Sequence, residues 1–440
     1  MKRFVKLAFS MLCSGTVALS FAGCNASDTG KCTVLGEPAA AQSFDYDDRK
    51  DAGYISIKQK ADNFAYRFSA AAYSGYDSGK NFSVAPVSVF SALSLAAECS
   101  GGQTRSELLS ALGVEYADLA ENYSKLYRSL DAEHISSGGS LEGALKLANS
   151  VWINQGLQYN RSCVQNLSQK YFTYSYSADF TNDNANANRA VRSFVKDKTR
   201  GLIDRDFELS PQTVFTLINA LYLKDIWNMN GNDLGLTDTS YTFTEYNGNT
   251  KELKLLRGYY QAGRVQEFGD YSTFFTKTLN GYKIKFILPK NGRTVGDVFT
   301  SENLAEVNGI SDYGEVDDAE KIIYHTRCLF PEFATSYDKD IVGILKNNFN
   351  INALFDSELC DFSAFTESKS YCDKVMHVNT LKVNRKGIEG AAVTVLPSAT
   401  SPGPGEYAKV YTDFVVDRSF GFILTDPMDT VLFSGVVNDI

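Results

Sequence analysis

The sequence is poor in the residues from which most catalytic sites are built. It has three histidines, His134, His325 and His377. No spacing sets one of them beside a nucleophile and an acid, as a hydrolase triad requires. Three histidines also do not easily build a catalytic zinc site, which needs three protein ligands brought together at one point. No G-x-S-x-G turn, H-E-x-x-H pair or Walker loop occurs, and the lone Gly403-Pro404-Gly405 reads as an exposed turn. These gaps argue against an enzyme and nominate no catalytic residue, no metal and no cofactor. The nine prolines exclude long proline-rich linkers. Lys and Arg number 43 against 52 Asp and Glu, a net charge of -9, so the basic field of a nucleic-acid binder is missing. The eight cysteines contain no C-x-x-C spacing.

What is present begins with an export signal. Met1-Lys2-Arg3 and Lys6 are basic, and an apolar stretch follows from about Leu7 to Ala22, short for a membrane span. Phe21-Ala22-Gly23-Cys24 resembles a bacterial lipobox, which implies cleavage before Cys24 and lipidation of its thiol; plain secretion is the other reading. Residues 1–23 are then a signal peptide. Residues 24–53, polar and irregular, suit the lipidated Cys24 and a flexible spacer. The expected location is outside the cell, lipid-anchored or secreted, with membrane contact through the lipid alone. Export permits disulfides, and Cys360 and Cys372 are the closest pair after Cys24; small buried hydrophobes are the alternative.

From residue 54 to residue 440 there is no second linker and no repeat, so one domain is expected. Lys58–Ala72 places Ala61, Phe64, Ala65, Phe68 and Ala72 at helical spacing. Pro86–Ala97 does the same, and Thr104–Leu112 predicts a short helix stopped by Gly113. Strands are predicted over Val214–Leu223, Tyr282–Leu288, Ile322–Phe330, Thr412–Val416, Phe420–Thr425 and Thr430–Val437. Helices then dominate the first half and strands the second, an α+β arrangement.

The segment 381–411 is unusual. Leu381–Asn384 alternates like a strand, and Gly387 opens a run of small and β-branched residues that dissolves into Pro, Gly and Ser. From Ile388, every second residue (Gly390, Ala392, Thr394, Leu396, Ser398) is uncharged, whereas the other face carries Glu389. A face of that kind can slot into a packed sheet. Taken alone, the segment reads as a strand followed by a surface loop.

Its surroundings resemble the serpin family. The motifs run collinearly: Asn81-Phe-Ser-Val-Ala-Pro86-Val-Ser88, Asn149-Ser-Val-Trp152, Ala178-Asp179-Phe180, Thr199-Arg-Gly201-Leu-Ile203 and Ile218-Asn219 through Trp227. Phe330-Pro331-Glu-Phe333, Asp361-Phe362-Ser363, Asp417-Arg418-Ser-Phe420 and Leu432-Phe433-Ser-Gly435 follow. The resemblance covers about residues 54–440 and extends to bacterial lipoprotein serpins. It implies a serpin fold of about nine helices and three β-sheets, with an exposed reactive centre loop. The implied activity is inhibition of a serine-type endopeptidase by suicide-substrate trapping, with cysteine proteases as a second target class. The cleaved loop inserts as a strand of the large sheet, and the protein acts as a monomer without cofactor. The alternative is a non-inhibitory serpin-fold surface binding protein, which Ile388 and Pro397 favour: Ile388 is bulkier than the family's usual Thr or Ser, and Pro397 lacks the N–H that a central strand donates.

By the same resemblance the hinge is Gly387, Ile388, Glu389, Gly390, Ala391, Ala392, Val393 and Thr394, with Arg385 where the family has an acid. His377, Asn219 and Ser88 match polar residues that hold two strands together until insertion, and Trp227 lies where the hinge first enters. The family's hinge-to-bond distance, about fourteen residues, leads from Gly387 to Ser401. Pro402 follows it, so Thr400–Ser401 and Ala399–Thr400 are the practical bonds, suited to an elastase-like pocket. Counting back from Phe420 points instead to Ala408, with Tyr407 and Lys409 as chymotrypsin-like or trypsin-like candidates.

Overall fold

A computed structural model describes residues 32–76, 79–135, 141–227, 233–388 and 407–440. The signal peptide, Cys24 and the segment 389–406 lie outside the described residues. Nine α-helices are present among them: α1 (Ala52–Ser74), α2 (Pro86–Cys99), α3 (Gly102–Leu112), α4 (Tyr116–Ser129), α5 (Arg161–Lys170), α6 (Asn184–Lys198), α7 (Val295–Val298), α8 (Ser301–Gly309) and α9 (Val342–Phe349). The local chemistry sets their ends. The Asp51 carboxylate accepts the Tyr54 N–H at 2.9 Å, so α1 starts six residues before the predicted Lys58. Pro86 opens α2 from its first turn, and Gly113 closes α3 at a φ of +68°.

The strands in chain order are β1 (Thr33–Gly36), β2 (Phe82–Val84), β3 (Asp131–Ile135), β4 (Leu141–Asn154), β5 (Thr173–Ala178), β6 (Phe215–Ile226), β7 (Tyr241–Thr244), β8 (Thr250–Leu253), β9 (Leu256–Arg257), β10 (Gln261–Ala262) and β11 (Gln266–Glu267). They continue as β12 (Tyr271–Lys277), β13 (Lys283–Pro289), β14 (Val316–Asp317), β15 (Ile322–Phe330), β16 (Phe333–Asp340), β17 (Met376–Asn384), β18 (Gly387–Ile388), β19 (Ala408–Val415), β20 (Phe420–Thr425) and β21 (Val431–Val437). They make three large sheets and a two-stranded ribbon. The first sheet runs β1-β5-β4-β6-β18-β17-β16, with β3 pairing β4. The second groups β10, β14, β9 and β19 around β15, and the third runs β11-β12-β13-β20-β21-β2.

The predicted strands Ile322–Phe330 and Phe420–Thr425 coincide with β15 and β20. The separation of helices from strands is less complete than expected, because β3, β4, β5 and part of β6 fall in the first half. The spacer assignment over 24–53 is corrected at its C-terminal end. Thr33–Gly36 pairs antiparallel with β5, and Arg128 holds Asp48 through two hydrogen bonds of 3.0 and 2.7 Å. A short alternating run and acids matched to α4 bases bind this stretch to the body. All six cysteines among the described residues are free thiols. Cys360 and Cys372 lie half-buried against the main core instead of bridging.

The main core lies behind the large sheet, between it and the third sheet, with α1 and α2 inside it. A second cluster lies on the opposite face, where Val191, Phe194 and Val195 of α6 cover Ala148 and Trp152 of β4. β6 is covered on both sides: Leu217, Leu221 and Leu223 face the main core and Ile218 faces α6. In the third sheet Phe286 is fully buried, with ring centroids 5.2 Å from Phe330 and 5.6 Å from Phe420. Phe286→Ala is expected to cost about 3–5 kcal/mol. Chemical denaturation would show this as a large fall in midpoint, and an unchanged midpoint would remove Phe286 from the core's essential contacts.

Candidate functional site

The first sheet changes character at its centre. β4 and β6 share ten consecutive paired residues, from Ala144↔Lys224 to Ile153↔Phe215, and β16 and β17 share eight. Among the described residues, β6 and β17 pair nowhere with each other; the link between them is β18. Gly387 pairs Ile226 and Ile388 pairs Asp225 on one side, while Asn384 and Val383 pair them on the other. The first two hinge residues therefore already form the start of a strand between β6 and β17, antiparallel to both. Glu389, Gly390, Ala391, Ala392, Val393 and Thr394, and the bond candidates Ala399, Thr400 and Ser401, lie outside the described residues, as does Pro397.

Several contacts hold this start in place. Trp227 Nε1 donates to the Asn384 carbonyl at 2.7 Å, and its ring stacks edge-on against Phe330 at 5.7 Å. Arg385, where an acid was expected, is held from three sides. Its N–H donates to Glu332 Oε1 at 2.8 Å, its Nε to the Leu234 carbonyl at 3.3 Å, and its own carbonyl accepts the Leu234 N–H at 2.8 Å. Ile388 is fully buried, so its bulk is accommodated. Gly387 has no room for a side chain. A Cβ would lie 2.1 Å from the Asp225 carbonyl oxygen and 2.9 Å from the Ile226 Cα, on a backbone at φ +156°.

Asp225 itself is a buried acid with no cation paired to it among the described residues. Its carboxylate accepts from Thr278 Oγ1, from the Asn280 N–H at 3.1 Å and from Asn280 Nδ2 at 2.6 Å. Burial raises its pKa to about 6. It clamps the top of β6 to the turn between β12 and β13. Nothing local in the sequence distinguishes Asp225 from a surface acid.

Lower in the sheet, polar residues form two separate networks. On the β6 side, Ser88 Oγ of α2 donates to Asn219 Oδ1, and Asn219 Nδ2 donates to Asn149 Oδ1 of β4 at 2.6 Å. Ser91 Oγ donates to the same Asn149 oxygen at 2.9 Å, and Asn149 Nδ2 donates to the Tyr123 hydroxyl at 2.9 Å. On the β17 side, His377 Nε2 accepts the Ala85 N–H at 3.0 Å, and Asn379 Nδ2 donates to the Ser83 carbonyl at 2.9 Å. Ser83 Oγ donates to Asn379 Oδ1 at 3.0 Å and accepts from Thr335 Oγ1 at 2.7 Å. The structure thus brings Ser88 and Asn219 together but sets His377 apart from both. The expected strand-to-strand link is replaced by two links, each made to the β2–α2 segment, because β18 starts a strand between the two. Asn379 was legible: two residues after His377 in a strand, it shares that residue's face.

The downstream end of the loop is equally fixed. Tyr407 donates its hydroxyl to Asp318 Oδ1 at 2.7 Å and lies under Lys321 Nζ, 4.9 Å from the ring centroid. Ala408 and Lys409 belong to β19, in parallel register with Ile322 and Ile323 of β15. A protease would have to unravel this ladder to cut at Ala408 or Lys409.

A profile of the serpin family, described as serine protease inhibitor, matches residues 59–440. A putative serpin-Z6C of Oryza sativa subsp. japonica is 24% identical, covering 85% of this chain and 94% of that protein. Neuroserpin of Homo sapiens is 22% identical over 81% of this chain and 86% of its own length. Thyroxine-binding globulin of Homo sapiens is 25% identical over 81% and 83%. Among solved structures, the native state of the thermophilic serpin tengpin superposes with a TM-score of 0.71 at 18% identity, covering 93% of this chain and all of that one. Cleaved Serpin 42Da gives 0.69 at 16% identity, covering 88% of this chain and 100% of its own.

Two measurements test the site. Gly387→Val is expected to expel β18, raising amide hydrogen exchange at least tenfold in the segments 225–226 and 383–388; unchanged protection would show that the clip does not need a glycine. His377 is buried, which lowers its pKa from 6.5 to about 4. Its neutral form therefore contributes stability that is present above pH 6.5 and lost as pH falls through about 4. The drop in melting temperature between those pH values should be smaller in His377→Gln, which keeps an acceptor for Ala85, than in the parent. Equal drops would remove His377 from the acid response.

Proposed function

The chain belongs to the serpin family, and from that premise we propose that it inhibits a serine-type endopeptidase by suicide-substrate trapping. The observation that carries this reading is β18: the hinge already stands as the first two residues of a strand, in a seam where β6 and β17 make no pairs of their own. Extending that strand through residues 389–400 adds ladders on both sides. About a dozen backbone pairs at roughly 1 kcal/mol net each supply on the order of 10 kcal/mol. That energy is available only after the loop is cut, and serpin loop insertion is a known release of stored strain by strand addition. A protease held as an acyl ester at the cut end would be carried along and its active site distorted.

The placement of β19 supports the upstream bonds. Tyr407, Ala408 and Lys409 are tied into the second sheet, whereas Ala399, Thr400 and Ser401 precede those ties and keep the hinge spacing. Small residues at the bond favour an elastase-like enzyme. Export, with attachment through Cys24 or release, would put the inhibitor where extracellular proteases act.

The second reading, a non-inhibitory binding protein, is favoured by relatives named thyroxine-binding and corticosteroid-binding globulin. Incubation with neutrophil-type elastase separates the two. Trapping is expected to give an SDS-stable band at the summed mass and a C-terminal peptide beginning at Ser401 or Thr400. Cleavage without such a band, together with no rise in the melting temperature of the cleaved protein, would reject trapping in favour of the binding-protein reading.

A further inference from the structure

Two buried thiols meet where α2 ends and α5 begins. Cys99 is the last residue of α2 and is fully buried, and Cys163 lies buried in the first turn of α5. Both belong to the main core. Three side chains from α5 and its end converge on the residue before Cys99. The Cys163 thiol donates to the Glu98 carbonyl at 3.9 Å, the carbonyl of the peptide bond that joins Glu98 to Cys99. Asn166 Nδ2 donates to Glu98 Oε1 at 3.2 Å, and the Tyr171 hydroxyl donates to Glu98 Oε2 at 3.3 Å. Asn160 fixes the start of α5: its side chain accepts the Ser162 N–H at 3.0 Å and donates to the Ala364 carbonyl at 3.1 Å. So held, the Cys99 and Cys163 thiols lie within hydrogen-bonding reach of each other. Cys372, by contrast, directs its thiol to the Lys374 carbonyl at 3.4 Å.

We propose that Cys99 and Cys163 are a modification site, joined by a low-molecular-weight disulfide oxidant into a disulfide that staples α2 to α5. One protein thiolate attacks the oxidant, forms a mixed disulfide and displaces one small thiol. The second protein thiolate attacks the protein sulfur of that mixed disulfide, closes the Cys99–Cys163 bond and displaces the other small thiol. Two protein thiols are oxidised, one small disulfide is reduced to two thiols, and the two protons pass to them. The hydrogen bond to Cys163 and burial hold the Cys99 thiol well above its ordinary pKa, so little thiolate exists once the core has closed. The bond therefore forms during folding, while the pair is still wet, and the same burial then shields it from reductants. It closes a loop of about 65 residues and so restricts the unfolded chain. α2 carries both polar networks of the large sheet, so the staple strengthens the frame on which the seam is mounted.

The test refolds the reduced, denatured full chain in a buffer of oxidised and reduced glutathione. Remaining thiols are then alkylated in denaturant and the digest is mapped by mass spectrometry. Where refolding yields are poor, native reduced protein held in the same buffer with low urea gives the same reading, because local opening wets the pair. The expected result is a peptide pair joined through Cys99 and Cys163, two hydrogens lighter than its separate parts. The melting temperature should lie about 5 °C above that of protein treated identically with dithiothreitol. Cys163→Ser should erase that difference, whereas Cys32→Ser, a half-buried thiol elsewhere, should keep it. Alkylation of both Cys99 and Cys163 after oxidative treatment overturns the proposal. So does a link from either of them to another cysteine, or a melting difference that survives in Cys163→Ser.

Discussion

The rest of the structure depends on the segment from Ser83 to Ser91, where β2 ends and α2 begins. Both halves of the large sheet are fastened to it and, among the described residues, are joined to each other only at the top, through β18 and the Trp227–Asn384 hydrogen bond. Asn149 and Asn219 hang from Ser88 and Ser91, and His377 and Asn379 hang from Ala85 and Ser83. Because each half carries its own satisfied polar network, the seam between them can part without orphaning a buried polar group, a loss that would cost about 1–3 kcal/mol at each group. A single network spanning the seam would have to break before a strand could enter.

The top of the seam obeys a different constraint, of space. Gly387 passes so close to the Asp225 carbonyl that no side chain fits, and the Trp227 indole and Arg385 fix the turn just before it. Steric exclusion and hydrogen bonding together decide where the strand begins, so its register is set before any more of it forms. Bulk matters less one residue later, where Ile388 fits into the core. The sheet tests backbone clearance at Gly387 and polarity at Ile388.

Much of this was legible in the sequence, for physical reasons. Period three to four in Ala61, Phe64, Ala65 and Phe68 marks a buried helix face, and the continuous apolar runs of β20 and β21 mark strands covered on both sides. Collinear motifs then set the order of the elements. What stayed hidden depends on contacts between distant residues. Asp225 becomes a clamp only because Thr278 and Asn280 reach it from another sheet. The two-network arrangement needs Asn149, Asn219 and His377 placed against one helix start. The N-terminal segment misled because its polar composition suits a tether, while four of its residues lie against the outer edge of β5.

That short N-terminal strand has a consequence for how copies of the protein behave together. An open sheet edge is a template on which another chain can lay a strand. β1 covers the outer edge of β5, offering solvent four residues interrupted by an irregular step between Val34 and Gly36 instead of a regular six-residue rail. A central seam that accepts a strand, as the proposed trapping requires, would also be exposed to accepting the wrong one. Covering this edge leaves one template fewer for strand exchange between copies, and it ties colloidal behaviour at high local density to Thr33–Gly36.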